Sequence, residues 1–413
     1  MNIKYSDSID LNLILEEINS ITTVKEKEVS FQALRMFVLE SILESHITFP
    51  ENISNISKKS IITKTIKKVA IRGFDENLFK KILEDELRNH FRKREQNFYL
   101  LTSLSIDFLP FRKIKINNSE ILIKGKSYPK EFTKNRNELL KKQFENEDNK
   151  NHLKVMVRTR GKNNTDTFKE SLKDLDVFRA LLNLTLNPPF RLVFGIDDKP
   201  INVVSLGKFL TLHFDNGETV DKTSYWFEPN FIDKTYHLKD DVKPYLKNTI
   251  NWYLKRINLL DKRINHSICY ALGLYVNAFD EKDKQSCFLK SWTALENLLS
   301  CRHNDTIIKR CLTVYVDDSK PFQKQILEGI KNYRNEFVHE GIEASMHNLY
   351  IYCHQIQKNI LYLLRHNHLK FYKIFNTIED ANDFLDKRRM DVFKQKREIK
   401  MLNTINQQIN TKS

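Results

Sequence analysis

Apolar side chains recur at Leu11, Leu13, Ile14 and Ile18, and again at Leu34, Phe37, Val38 and Ile42, in steps of three and four. That period matches the turn of an α-helix and predicts two amphipathic helices within 9–46, with Pro50 closing the second. A third, highly charged helix is predicted over 75–95. The pattern then changes. Residues 98–109, FYLLTSLSIDFL, form a continuous apolar run with aromatic and β-branched content, which predicts a buried strand. From 112 to 128 polar and apolar residues alternate around Asn117-Asn118, the pattern of a hairpin with an asparagine turn. Strand patterns return at 153–159, 189–196 and 208–214, with a helical stretch near 168–185, and Asp197-Asp198 and Asn216-Gly217 read as turns.

Beyond about 240, glycine and proline nearly vanish and helical periodicity runs to the end. Helices are predicted near 243–260, 262–279, 282–301, 304–315, 321–339 and 345–366, with Pro321 suited to a first helical turn. The fold class expected is therefore an α+β N-terminal region followed by an all-α helical bundle. Four segments follow: a mainly helical region over 1–110, an α+β regulatory or sensor region over 111–240, a helical domain over 241–370, and a basic helical tail over 371–413. A chain of 413 residues is long enough for more than one core.

Charge narrows the partners. Lysine and arginine total 68 against 53 acidic residues, a formal +15, which favours a polyanion such as nucleic acid and equally suits a lysine-rich solvated surface. Basic residues cluster at Lys58-Lys59, Lys64, Lys67-Lys68 and Arg72, at Arg92-Lys93-Arg94, and in the tail. Lys67, Lys68, Arg92, Lys93 and Arg94 are the candidate nucleic-acid contacts outside the helical domain; a solvated helix face is the competing reading. The five cysteines form no C-x-x-C pair, which argues against a disulfide framework or zinc ribbon and fits a reducing, cytoplasmic setting. His347, Cys353-His354, His366 and His368 lack the paired thiolates of a zinc site, so no metal is expected. No phosphate-binding glycine loop, dinucleotide fingerprint or nucleophile elbow occurs, so no cofactor is expected. The N-terminus has acids within its apolar stretch, unlike a signal peptide, and no window is apolar enough for a membrane span.

The segment that carries chemistry is 329–341, GIKNYRNEFVHEG. Ile326, Ile330, Tyr333 and Phe337 mark its buried face, leaving Arg334, Asn335 and His339 near the end. On an ideal helix Asn335 and His339 lie about 40° apart, but Arg334 and His339 about 140°. A long arginine stem, an irregular last turn before Gly341, or a second copy of the helix across a two-fold axis would bring them together, and the two-fold arrangement is the reading we favour. Taken singly, Arg334 and Glu296 also read as an interhelical ion pair, His339 as a charge at a helix C-terminus, and Asn335 as helix surface.

In R-N-x-x-x-H form, Arg334 to His339 resembles the signature of the HEPN superfamily. With FLKSWTALENLLS (288–300) upstream and YRNEFVHEG (333–341) downstream, about 130 residues look like its Apea-like branch. The resemblance implies a helical homodimer that cleaves RNA, with tRNA among the candidate substrates, without a metal, leaving a 2′,3′-cyclic phosphate. It would use Arg334 and His339, with Asn335 assisting and Glu296 supporting Arg334. It further implies a toxin or antiviral defence effector controlled by a protein trigger or antitoxin. The alternative is a catalytically inactive HEPN dimerisation or binding module that recognises a protein or nucleotide ligand.

Overall fold

The structure, a computed structural model, describes residues 3–26, 28–50, 53–142, 150–188, 199–223, 225–340 and 346–410. The chain forms two compact units: one comprises 1–98 with 159–170, the other 99–158 with 171–413.

The first unit is built from β1 (Lys4–Tyr5), α1 (Leu11–Ser20), β2 (Thr22–Lys25), β3 (Glu28–Phe31), α2 (Ala33–His46), β4 (Ile47–Thr48), α3 (Asn55–Arg72) and α4 (Glu76–Arg92). Short polar side chains start its helices. Asp10, Ser54 and Asp75 each accept from a backbone N–H three residues on, satisfying a donor that the first turn would otherwise leave open. Leu15, Ile18, Leu43, Ile62, Ile66, Phe79 and Leu83 form its core.

Two features depart from the sequence pattern. Between α1 and α2 lies an antiparallel β2–β3 hairpin, formed where TTVK and EVSF supply β-branched residues. In α2 the buried face is Met36, Leu39 and Leu43, whereas Leu34, Phe37 and Val38 are exposed. Apolar residues occur on both sides of this helix, so its period alone did not select the face that packs.

The second unit opens with a six-stranded sheet in the order β10-β9-β5-β8-β7-β6. Its strands are β5 (Gln96–Leu104), β6 (Lys113–Ile116), β7 (Ser119–Gly125), β8 (Leu153–Gly161), β9 (Phe209–Phe214) and β10 (Trp226–Phe227), with helices α5 (Lys130–Lys142) and α6 (Asn164–Leu186). The β6–β7 turn is Asn117-Asn118, and Asn117 takes a positive φ of 49°, a conformation asparagine tolerates better than most residues. The predicted strand at 189–196 and the Asp197-Asp198 turn lie outside the described residues.

Helices then run to the end: α7 (Val242–Ile257), α8 (Lys262–Phe279), α9 (Lys284–Leu298), α10 (Asn304–Leu312), α11 (Lys320–Glu340), α12 (Met346–Leu363), a π-helical turn at Leu364–His368, α13 (Ile378–Arg388) and α14 (Val392–Asn410). The expected boundaries at 110 and 240 both fall inside this unit, where α6 and the later helices share a buried polar joint. Arg179 of α6, fully buried, meets Asp280 at 2.5 Å, and Asn202 donates to Asp280 at 2.8 Å. Beside it Asn187 and Tyr275 both donate to Gln357 of α12, each at 2.9 Å. Among the described residues no helix is long and apolar enough to cross a membrane.

Candidate active site

The site begins with α9. Asp283 caps this helix, accepting from Ser286 N–H at 2.7 Å, and Trp292 lies on its buried face. Four residues on, one turn along the same face, stands Glu296. The indole Nε1 of Trp292 donates to Glu296 Oε1 at 2.9 Å, which fixes where the carboxylate points.

Arg334 arrives from α11. That helix is held by Leu327, Ile330 and Tyr333, all buried, and Tyr333 packs on Phe288 of α9 and Tyr352 of α12 at centroid distances of 5.1 and 5.5 Å. Leu327 takes the buried position next to the half-buried Ile326. Arg334 Nη2 lies 3.5 Å from the same Glu296 oxygen that accepts from Trp292, and 29% of the Arg334 side chain is exposed. A charge-assisted bond is usually 2.7–2.9 Å, so this is a loose pairing that leaves most of the guanidinium donors unused. Asn335 is half-buried and accepts from Asn304 Nδ2 at 3.3 Å, at the start of α10. It therefore ties α10 to α11, an arrangement reinforced by Lys331 reaching Asp305 at 3.3 Å.

Helix α11 continues to Glu340, so His339 stands in its final turn. The side chain of His339, and all of Gly341, lie outside the described residues. An unbroken helix to 340 removes the irregular last turn as a means of joining Arg334 to His339.

Arg334 and Glu296 open on a cavity of about 670 Å³, whose wall also includes His266, Tyr270, Arg302 and Glu379. Nothing in the motif pointed to His266 or Arg302. Arg302 arrives there through the end of α9, where the N–H of Cys301 bonds the carbonyl of Glu296 at 3.1 Å and that of Ser300 bonds Asn297 at 3.2 Å. Ser300 takes a φ of +44°, completing the paired closure that commonly ends helices with a left-handed residue. Glycine usually fills that place, so serine concealed the signal. Ser300 Oγ in turn donates to Glu379 at 3.0 Å. The positive charge of Lys173, then partial burial, lower the His266 pKa, so its ring is neutral near pH 7 and able to accept a proton. Arg302 is exposed and makes no ion pair among the described residues.

Of the candidate basic residues in the first unit, Lys68 is paired with Glu86, while Lys67, Arg92, Lys93 and Arg94 are exposed. His354 and His368 are both buried, and among the described residues no group of three or more potential ligands is placed to hold a metal ion. Comparison with protein-family models, with curated proteins and with solved structures gave no match.

Proposed function

We propose that this protein is a metal-independent RNA endonuclease of the HEPN type, acting as a homodimer. The observation that carries the reading is Arg334, loosely held by an indole-fixed carboxylate at the wall of an open cavity, on the helix whose last turn carries His339. A forked, permanently charged group suits the non-bridging oxygens of a phosphodiester, and imidazole suits proton transfer near neutrality. In the reaction, the 2′-hydroxyl loses its proton to a base as its oxygen bonds phosphorus. The bond from phosphorus to the 5′-oxygen breaks, and that oxygen takes a proton from an acid. The products are a 2′,3′-cyclic phosphate and a 5′-hydroxyl. On an ideal helix positions 334 and 339 lie some 140° apart, which supports a groove completed by a second copy.

The test is cleavage of total RNA and a tRNA pool in EDTA. His339→Ala should reduce the rate by about 10²–10⁴, the usual contribution of a proton shuttle. Arg334→Ala should reduce it by about 10²–10³, as expected for a group stabilising phosphorane charge. Unchanged cleavage in both variants would place the activity elsewhere.

A second reading, a non-cleaving module that binds a nucleotide or protein, draws on the charge balance of the cavity wall, where Arg302 and Arg334 face Glu296 and Glu379. Tight, saturable nucleotide binding with no cleavage under any condition would select it.

A further inference from the structure

A second cavity, of about 200 Å³, lies in the first unit, where α3 and α4 meet the segment around Asn163. Lys64, Ser60, Asn89, His90 and Lys93 line it. Neither Lys64 nor Lys93 makes an ion pair among the described residues, in contrast to Lys68 and Lys80, each of which is matched to a glutamate. The acids nearby are already engaged. Asp166 accepts from Ser54, Ser57 and Asn163, and Glu86 is held by Lys68. Four lysines, Lys64, Lys68, Lys93 and Lys162, thus stand against two carboxylates, which leaves the cavity with an excess of positive charge. His90 registers that field: burial first, then Lys162, lowers its pKa, with Lys93 and Lys64 adding to the effect against Asp166.

We propose that this cavity receives a backbone phosphate of a single-stranded nucleic acid, with Lys64 and Lys93 as its charged contacts. The volume is below the ~300 Å³ at which pockets for whole small molecules begin, so it suits one group of a larger ligand. The surroundings supply the rest of the track. Lys67 follows Lys64 by one turn of α3 on nearly the same face, and Arg92 and Arg94 flank Lys93, all exposed and without ion pairs among the described residues. This site is independent of the chemistry proposed for Arg334 and His339.

The experiment measures binding of a 12-nucleotide single-stranded RNA to the full chain, in an Arg334→Ala, His339→Ala background that suppresses cleavage. Lys64→Gln with Lys93→Gln should weaken binding about tenfold at moderate salt. It should also flatten the dependence of log K on log salt by about 1.4, two contacts at ~0.7 each. Ser60→Leu, which fills the cavity without changing charge, should weaken binding several-fold. Lys247→Gln with Lys255→Gln, a matched loss of two exposed charges in the other unit, should leave the affinity within twofold. Equal weakening by the two charge pairs would overturn the site in favour of diffuse attraction. Saturable binding of inorganic phosphate that Lys64→Gln abolishes, without strand binding, would overturn the nucleic-acid assignment. Failure of cleavage in the wild-type protein leaves all of these outcomes readable, because none depends on turnover.

Discussion

At the scale of single residues, Glu296 has two duties that separate experimentally. It accepts from the Trp292 indole and faces Arg334 through one oxygen. The pairing with a part-exposed arginine at 3.5 Å contributes little, within ~1 kcal/mol, as is typical of solvent-screened pairs. The indole N–H is the group that needs an acceptor, and leaving it without one costs about 1–3 kcal/mol. Glu296→Gln, which keeps an acceptor, should therefore stay within ~1 kcal/mol of wild type in urea denaturation, whereas Glu296→Leu should lose ~1–3 kcal/mol. Equal losses would mean that the charge, and not the acceptor, holds this corner. Under the proposed function Arg334→Lys should also lose most of the activity without loss of stability, because a single ammonium does not reproduce the fork.

At the scale of elements, the end of α9 decides what faces the cavity. The closure through Ser300 and Cys301 turns the chain so that Arg302 reaches the wall shared with Arg334. A β-branched residue at a φ of +44° is strained, so Ser300→Val should cost about 1–2 kcal/mol, while Ser300→Gly should remain within ~0.5 kcal/mol of wild type. Thermal or urea midpoints check this, and a Val variant as stable as wild type would show that the left-handed turn is not kept. The helical periodicity that marked α7 to α12 was legible because each helix buries one continuous stripe. It misled at α2, where Leu34, Phe37 and Val38 read as a buried face but are exposed. The β2–β3 hairpin was not read from its ten residues, since short β-branched runs also suit helix ends.

At the scale of the whole molecule, buried ionisable groups set the response to pH. Burial pushes His213 and His368 down to about 4, below their ordinary 6.5. The unfolded chain then binds more protons between those values, so this contribution is full above about pH 6.5 and is lost as pH falls towards 4. In the opposite sense, burial of two carboxylates around one guanidinium raises Asp176 to about 6 and Asp280 to about 7. Their contribution is full below about pH 4 and is lost as pH rises through 6 to 7. The two effects oppose each other across the same window. Asp280→Asn removes the more strongly raised of the two carboxylates, so its stability should fall more steeply than that of wild type on acidification from pH 7 to 4. Urea midpoints at four pH values measure the two slopes, and identical slopes would sink the assignment.

Local order alone determined much of this protein: where α7 to α12 and the Asn117-Asn118 hairpin form, and which helix carries Arg334 and His339, although α3 and α5 were not read. Those features depend on residues within a few turns of one another, so spacing and turn chemistry record them. Tertiary structure decided the rest. It chose the buried face of α2, joined α6 to the end of α8 through Arg179 and Asp280, and brought His266, the Glu296–Arg302 stretch and Arg334 to one cavity from three separate parts of the chain. Contacts across tens to hundreds of residues leave no period in the sequence, because each partner is locally an ordinary polar residue on an ordinary helix.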